Sequence, residues 1–250
     1  MLGVMDLSAG ELAWCGFVLF AASVVRGFSG FGFSAVLVAG LTLVLPVAEI
    51  VPLSVALEIL ASIGQARGIW LDIDKPRLMK LLLAGFLGTP IGVFALGAFS
   101  AETFQAIILL FILAASMVLL SVRGKWFNIS EKNLVAAGFA AGITNGAAAM
   151  SGMVLALFFS LTAVRPAVMR ATMIAYFFVI DIWTLGLLGT SGFYSTATWA
   201  RILVFLPLLG LGIWLGTNYF KATKPTTFRA LVLWILLILS MLGLTQIAVG

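Results

Sequence analysis

Apolar residues run along this chain in blocks separated by short polar or charged loops. The blocks are Leu12 to Leu45, Val47 to Ala66, Leu78 to Phe99, Thr103 to Val122, Leu134 to Val164, Pro166 to Leu188, Trp199 to Phe220 and Thr227 to Ala248. Most match the ~20 apolar residues that cross a bilayer as a helix. The pattern predicts an all-α polytopic membrane protein, a single domain over residues 1–250 with no space for a separate soluble unit. Two blocks are too long for one span, and both carry an interruption. The first reads Arg26-Gly27-Phe28-Ser29-Gly30-Phe31-Gly32; the second reads Thr144-Asn145-Gly146-Ala147-Ala148-Ala149-Met150-Ser151-Gly152, with its break expected around Asn145-Gly146. A helix that stops at membrane depth exposes backbone N–H groups, and these are tolerated only where protein or a watery cavity receives them.

The two halves of the pattern match each other. Thr103-Phe104-Gln105-Ala106 corresponds to Thr227-Phe228-Arg229-Ala230, and the same offset carries Ser116-Met117 onto Ser240-Met241. A slightly shorter offset matches Gly32 with Gly152 and Pro46 with Pro166. Duplication explains this ordered series better than chance agreement among Leu, Ala and Gly. Repeat 1 covers about residues 11–123 and repeat 2 about residues 131–248.

Loop charge orients the halves. Arg67, Lys75, Arg77, Lys80, Arg123, Lys125 and Lys132 fall in two loops, which the positive-inside rule assigns to the cytoplasm. A single crossing by Leu134 to Val164 would strand Arg165, Arg170, Lys221, Lys224 and Arg229 outside, with only Arg201 compensating. A hairpin that enters and returns keeps all five cationic residues inside. The stretch from Lys132 to Thr144 gives an arm of 13 residues. At ~1.5 Å per residue that is about 20 Å, short of the ~30 Å hydrocarbon core. By the repeat, Leu12 to Leu45 is the same hairpin entered from outside. The expected fold is two inverted repeats, each a broken, re-entrant hairpin followed by three transmembrane helices, with facing tips near the midplane.

Composition narrows the chemistry. Hydrophobic residues make up 63% and charged residues 9% of the 250, with a formal charge of +5. The excess positive charge sits in loops, so it reports topology and not nucleic-acid binding. There is no histidine and one cysteine, Cys15, which removes disulfide frameworks, His/Cys metal sites and Ser/His or Cys/His catalysis. Gly-Phe-Ser-Gly is therefore not a protease dyad, and it lacks the Lys-Ser/Thr ending of a phosphate loop. No catalytic, cofactor or metal residues are expected. Met1 to Glu11 lacks the basic start of a cleaved signal peptide and is read as mature sequence.

What remains points to an anion. Arg26 near the bilayer centre would cost ~2.5–3.5 kcal/mol if unpaired, so it faces a partner or a pathway. Its guanidinium fork suits oxyanions; Ser29 adds a hydroxyl, and Gly27, Gly30, Phe31 and Gly32 add backbone at a helix start. Thr144, Asn145, Ser151 and Gly152 are the neutral counterparts in the second half, whose alanines also fit plain helix packing. Glu58 and Asp181 lie mid-span at matching positions, as carriers of a coupled proton or as static partners of Arg26, Arg170 or Arg201. Pro90 and Pro207 are expected to interrupt the third element of each half. Around them, Gly85, Gly88, Gly92 and Gly97 in one half and Gly210, Gly212 and Gly216 in the other predict close-packing faces.

The Arg26-to-Gly32 block followed by Pro46, repeated in weaker form before Pro166, resembles the sulfite exporter TauE/SafE family over nearly the whole chain. The resemblance implies a multi-pass permease of the bacterial inner membrane with two homologous halves. It also implies export of sulfite or small organosulfonates, coupled to protons. Its partners would be a small anionic substrate and the lipid bilayer. Two other classes fit the same residues: a passive anion channel, and a non-transporting membrane assembly subunit. No feature of the sequence specifies an oligomeric state.

Overall fold

The computed structural model describes residues 7–121, 130–222 and 225–249, with the side chains of 220–222, 225–229, 231 and 249 excepted. In these residues the chain is helical, without strands: α1 (Ala9–Ser29), α2 (Phe33–Leu41), α3 (Val47–Gln65), α4 (Lys75–Ala98), α5 (Ala101–Ser121), α6 (Glu131–Ala148), α7 (Ser151–Ser160), α8 (Pro166–Thr190), α9 (Thr196–Ala222) and α10 (Pro225–Val249). Starts follow local chemistry. Ser8 and Glu11 form a reciprocal capping box on α1, Ser130 caps α6, and Asp74 accepts the Arg77 N–H at the head of α4. Among the described residues, six helices are long and apolar enough to cross a membrane. The outer faces agree, since Leu87, Phe94, Leu203 and Trp214 are 63–76% exposed on α4 and α9.

Both interrupted runs fold back on themselves. The Trp14 indole N–H donates to the Gly40 carbonyl at 2.9 Å, so α2 returns along α1. At one end of the bundle, Lys80 pairs with Glu131, Arg165 pairs with Asp72, and the Asp74 N–H reaches Thr172. The starts of α4, α6 and α8 therefore share that end, so α6 and α7 together enter and leave on one side. At the opposite end Arg201 pairs with Glu49 at 2.5 Å and Gln105 donates to the Thr42 carbonyl. These contacts gather the starts of α3, α5 and α9.

The second arm is longer than the residue pattern predicts. α6 has 18 residues, about 27 Å at ~1.5 Å per residue, and continues through Asn145-Gly146. Its break falls at Ala149-Met150. Gly146 is small for packing and does not end the helix: a Cβ placed there would lie 2.1 Å from the Thr89 carbonyl oxygen.

Packing crosses between the halves. α4 of the first half lies against α6 of the second, and α9 lies against α1. Side chains at Gly88, Gly92, Gly138 and Gly142 would each strike main-chain atoms of the α4–α6 partner within 2.6 Å, and Gly27 and Gly216 do the same between α1 and α9. Small residues admit this backbone approach where no hydrophobic drive between helices exists. Two of the predicted packing glycines stand apart: a Cβ on Gly97 would lie 3.6 Å from Phe193, and one on Gly210 would meet nothing within 4 Å. Pro90 and Pro207 lie inside continuous helices, α4 and α9, instead of ending them. Of the cations behind the predicted orientation, Arg123, Lys125 and Lys224, with the side chains of Lys221 and Arg229, lie outside the described residues.

Candidate functional site

The first tip is a turn that only glycine closes readily. Gly30, at φ 79°, caps α1 by donating its N–H to the Arg26 carbonyl, and Gly32, at φ 85°, precedes α2. Both lie in the left-handed region, which costs an L side chain roughly 1–2 kcal/mol. The Ser29 hydroxyl stays within this turn, 2.7 Å from the Val25 carbonyl and 2.6 Å from that of Phe31, and accepts the Phe31 N–H. It braces the break. α2 then begins without a side-chain cap, as does α7 in the other half.

Arg26 is fully buried. One Nη donates to the Gly30 carbonyl at 2.6 Å, and the other donates to Ser62 of α3 at 2.8 Å. Its guanidinium carbon sits 4.5 Å from the centre of the Phe177 ring on α8. Gln65 closes the other side by donating to the Arg26 carbonyl. Among the described residues Arg26 makes no ion pair, so the alternative of a static bridge to Glu58 is not formed. Both Glu58 and Asp181 still act on its charge from a greater distance. Nε has no hydrogen-bond partner.

The second tip repeats this geometry with different chemistry. Ala149 takes the left-handed position at φ 56° and donates to the Asn145 carbonyl, as Gly30 does to that of Arg26. Asn145 is thus the positional counterpart of Arg26. Its amide donates to Asp181 and to Thr184 of α8, each at 2.9 Å. The two tips touch: a Cβ on Gly152 would lie 3.4 Å from that of Phe31 and 3.6 Å from the Gly32 nitrogen. Thr144 points back to the carbonyls of Ala140 and Ala141.

Between the tips lie the two carboxyls. Glu58 accepts from Ser34 in the first turn of α2, and Ser54 supports Ser34 in turn. Asp181 is completely buried and within interaction range of Glu58. Arg26 Nε, Asn145 Oδ1, Ser151 Oγ and Asp181 Oδ2 are all buried without a hydrogen-bond partner. Buried polar atoms in native proteins are normally paired, and an ordered water or ion is a common partner where the protein supplies none.

The sequence-predicted residues therefore divide. Arg26, Asn145, Ser151, Glu58 and Asp181 converge; Gly27, Gly30, Phe31, Gly32 and Gly152 build the turns; Ser29 and Thr144 satisfy local backbone. Arg170 arrives from α8 and donates to the Gly27 carbonyl at 2.9 Å, which Thr217 also approaches at 3.3 Å. Sequence reasoning missed Ser34, Ser54, Ser62, Phe177 and Thr184. The available signal was slight: Ser62 lies four residues after Glu58, and Thr184 three after Asp181, hence on the same helix faces.

A lipid-facing helical bundle with paired broken hairpins around a buried polar cluster defines a membrane permease. Its residues 15–242 match the family described as Sulfite exporter TauE/SafE, and the chain belongs to that family of transporters. No curated protein and no solved structure matches it.

Proposed function

We propose that the protein is a secondary transporter that exports small sulfur-containing anions, sulfite or organosulfonates, across the bacterial inner membrane. The carrying observation is the pair of open donors, Arg26 Nε and Ser151 Oγ, buried where the two tips meet. Arg26 supplies the charge. Ser151 supplies a hydroxyl, Asn145 holds Asp181 and Thr184 in place, and the uncapped starts of α2 and α7 supply backbone N–H groups. The α4–α6 and α1–α9 pairings, with the helix starts gathered at opposite ends, support two inverted repeats in one domain. In that arrangement access alternates as one hairpin assembly rocks against the other.

Glu58 and Asp181 are the proton carriers of this reading. Both carboxyls are buried beside the tips, Glu58 on Ser34 and Asp181 on Asn145, where a change of access would open them to water and allow a proton to be exchanged. The test is flux from proteoliposomes against sulfite, sulfoacetate, sulfate and carboxylates, with and without a pH gradient. Saturable counterflow of sulfite or a sulfonate, accelerated by the gradient, is expected. Flux at rates near ionic diffusion would identify a channel, and no flux with any anion would leave a non-transporting subunit.

A further inference from the structure

The first tip supplies its own cation, and the second does not. α1 carries Arg26 in its last turn, where the guanidinium donates to the Gly30 carbonyl at 2.6 Å. The last turn of α6 holds no basic residue, and Asn145 stands at the matching position. A helix ends in carbonyls at the negative pole of its dipole, which favours a cation there. The Asn145 amide nitrogen donates to Asp181 Oδ1 and to Thr184, each at 2.9 Å. That leaves two acceptors on a pair of touching, fully buried side chains, Asn145 Oδ1 and Asp181 Oδ2, with no donor for either. Open donors in the cluster suit an anion; these two open acceptors suit the opposite charge.

We infer that Asp181, Asn145 and Glu58 form a site for a monovalent metal cation of Na⁺ size, beside the carbonyl end of α6. The inference goes beyond the anion site proposed above and gives the two carboxyls a second occupant besides the proton. Of the groups around Asp181, Glu58 on α3 and Arg26 on α1 bear charge, and Tyr176 on α8 and Tyr194 ahead of α9 are titratable hydroxyls. Two carboxylates against one guanidinium leave a single negative charge, which one monovalent cation neutralises. The donors are all hard oxygens, which exclude the softer transition metals. Among the described residues no three acidic, His or Cys side chains group as ligands of a divalent ion would. Broken helices in transporters use their C-terminal ends in this way, to hold a coupling cation.

The test is equilibrium binding of radiolabelled Na⁺ to the full chain in lipid nanodiscs, without sulfur anions. It is run at alkaline pH, where a competing proton is scarcest, with choline holding the ionic strength constant. The wild type should bind Na⁺ saturably, bind K⁺ at least about tenfold more weakly, and melt at a higher temperature in Na⁺ than in choline. Asp181→Asn keeps the side-chain shape but loses the charge, and should weaken Na⁺ binding about tenfold or more. Glu58→Gln should weaken it by about threefold. Arg26→Gln removes a repelling cation and should leave Na⁺ binding equal or tighter. No saturable Na⁺ binding by the wild type, equal affinity for K⁺, or unchanged affinity in both carboxyl variants would overturn the inference. Its failure is distinct from that of the transport reading: sulfite counterflow without Na⁺ binding removes the cation site alone, whereas saturable Na⁺ binding by a protein that moves no anion upholds it.

Discussion

The two hairpin tips share a backbone plan and differ in what they carry. In each, a residue four positions before a left-handed cap points into the centre, Arg26 in one and Asn145 in the other. The first tip spends three residues, Gly30 to Gly32, on its break and brings a buried cation. The second spends two, Ala149 and Met150, and brings an amide. Their supports differ as well. α6 is locked to α4 by glycine contacts at Gly88, Gly92, Gly138, Gly142 and Gly146, whereas α1 meets α9 through Gly27, Gly212 and Gly216. One tip is specialised for charge and the other for rigid placement. Two turns can therefore share one backbone geometry while carrying different chemistry.

Several substitutions press on that contrast. The largest effect is expected at the lock of the second hairpin. Gly92→Val would drive a side chain into the Ile143 carbonyl oxygen, 2.0 Å from the first added carbon, and should cost about 3 kcal/mol or more. Thermal melting in detergent should show an early transition or no folded protein. Next come the carboxyls. Asp181→Asn keeps a hydrogen-bonding group beside Asn145 but cannot exchange a proton, so transport should lose its response to a pH gradient, as it should in Glu58→Gln. A pH profile unchanged in both would remove the coupling role.

The turn residues give smaller and opposite signs. Gly30→Ala forces an L residue into the left-handed region and should destabilise by about 1–2 kcal/mol. Ala149→Gly relieves that same strain in the other tip and should stabilise by up to about 1 kcal/mol, readable as a raised melting temperature. Parallel shifts in the two variants would show that the tips are not built on one backbone plan. Ser29→Ala removes a brace and should cost about 1 kcal/mol while leaving anion affinity nearly intact. A large loss of affinity there would return Ser29 to the binding set.

Much of this architecture was legible because membrane spans are set by length and apolarity. The blocks at 47–66, 78–99, 103–122 and 166–188 became helices of nearly those bounds, and loop charge anticipated that the second interrupted run returns to its side. The break in that run was misread because Gly146 signals two things. It serves close approach to Thr89, whereas the actual turn uses Ala149, a residue whose composition gives no hint of a left-handed φ. At the site, Arg26 stood out as a charge in an apolar run. Ser62, Phe177 and Thr184 did not, because their importance arises only when α3 and α8 pack around the tips. The pairing of Arg26 with Glu58 was one of the alternatives that charge alone allowed. The fold satisfies the guanidinium instead with a carbonyl, a hydroxyl and an aromatic face.

The central claim is that one tip carries the charge that selects the anion. Its most direct measurement is sulfite affinity and counterflow in wild type, Arg26→Gln and Asn145→Ala, each in the same lipid at fixed pH. Arg26→Gln should lower affinity and flux by about a hundredfold or more, the scale of a lost charge-assisted contact in a buried site. Asn145→Ala should lose about tenfold and retain anion preference. Equal losses in the two variants, or sulfite flux unchanged in Arg26→Gln, would contradict the assignment of charge to the first tip.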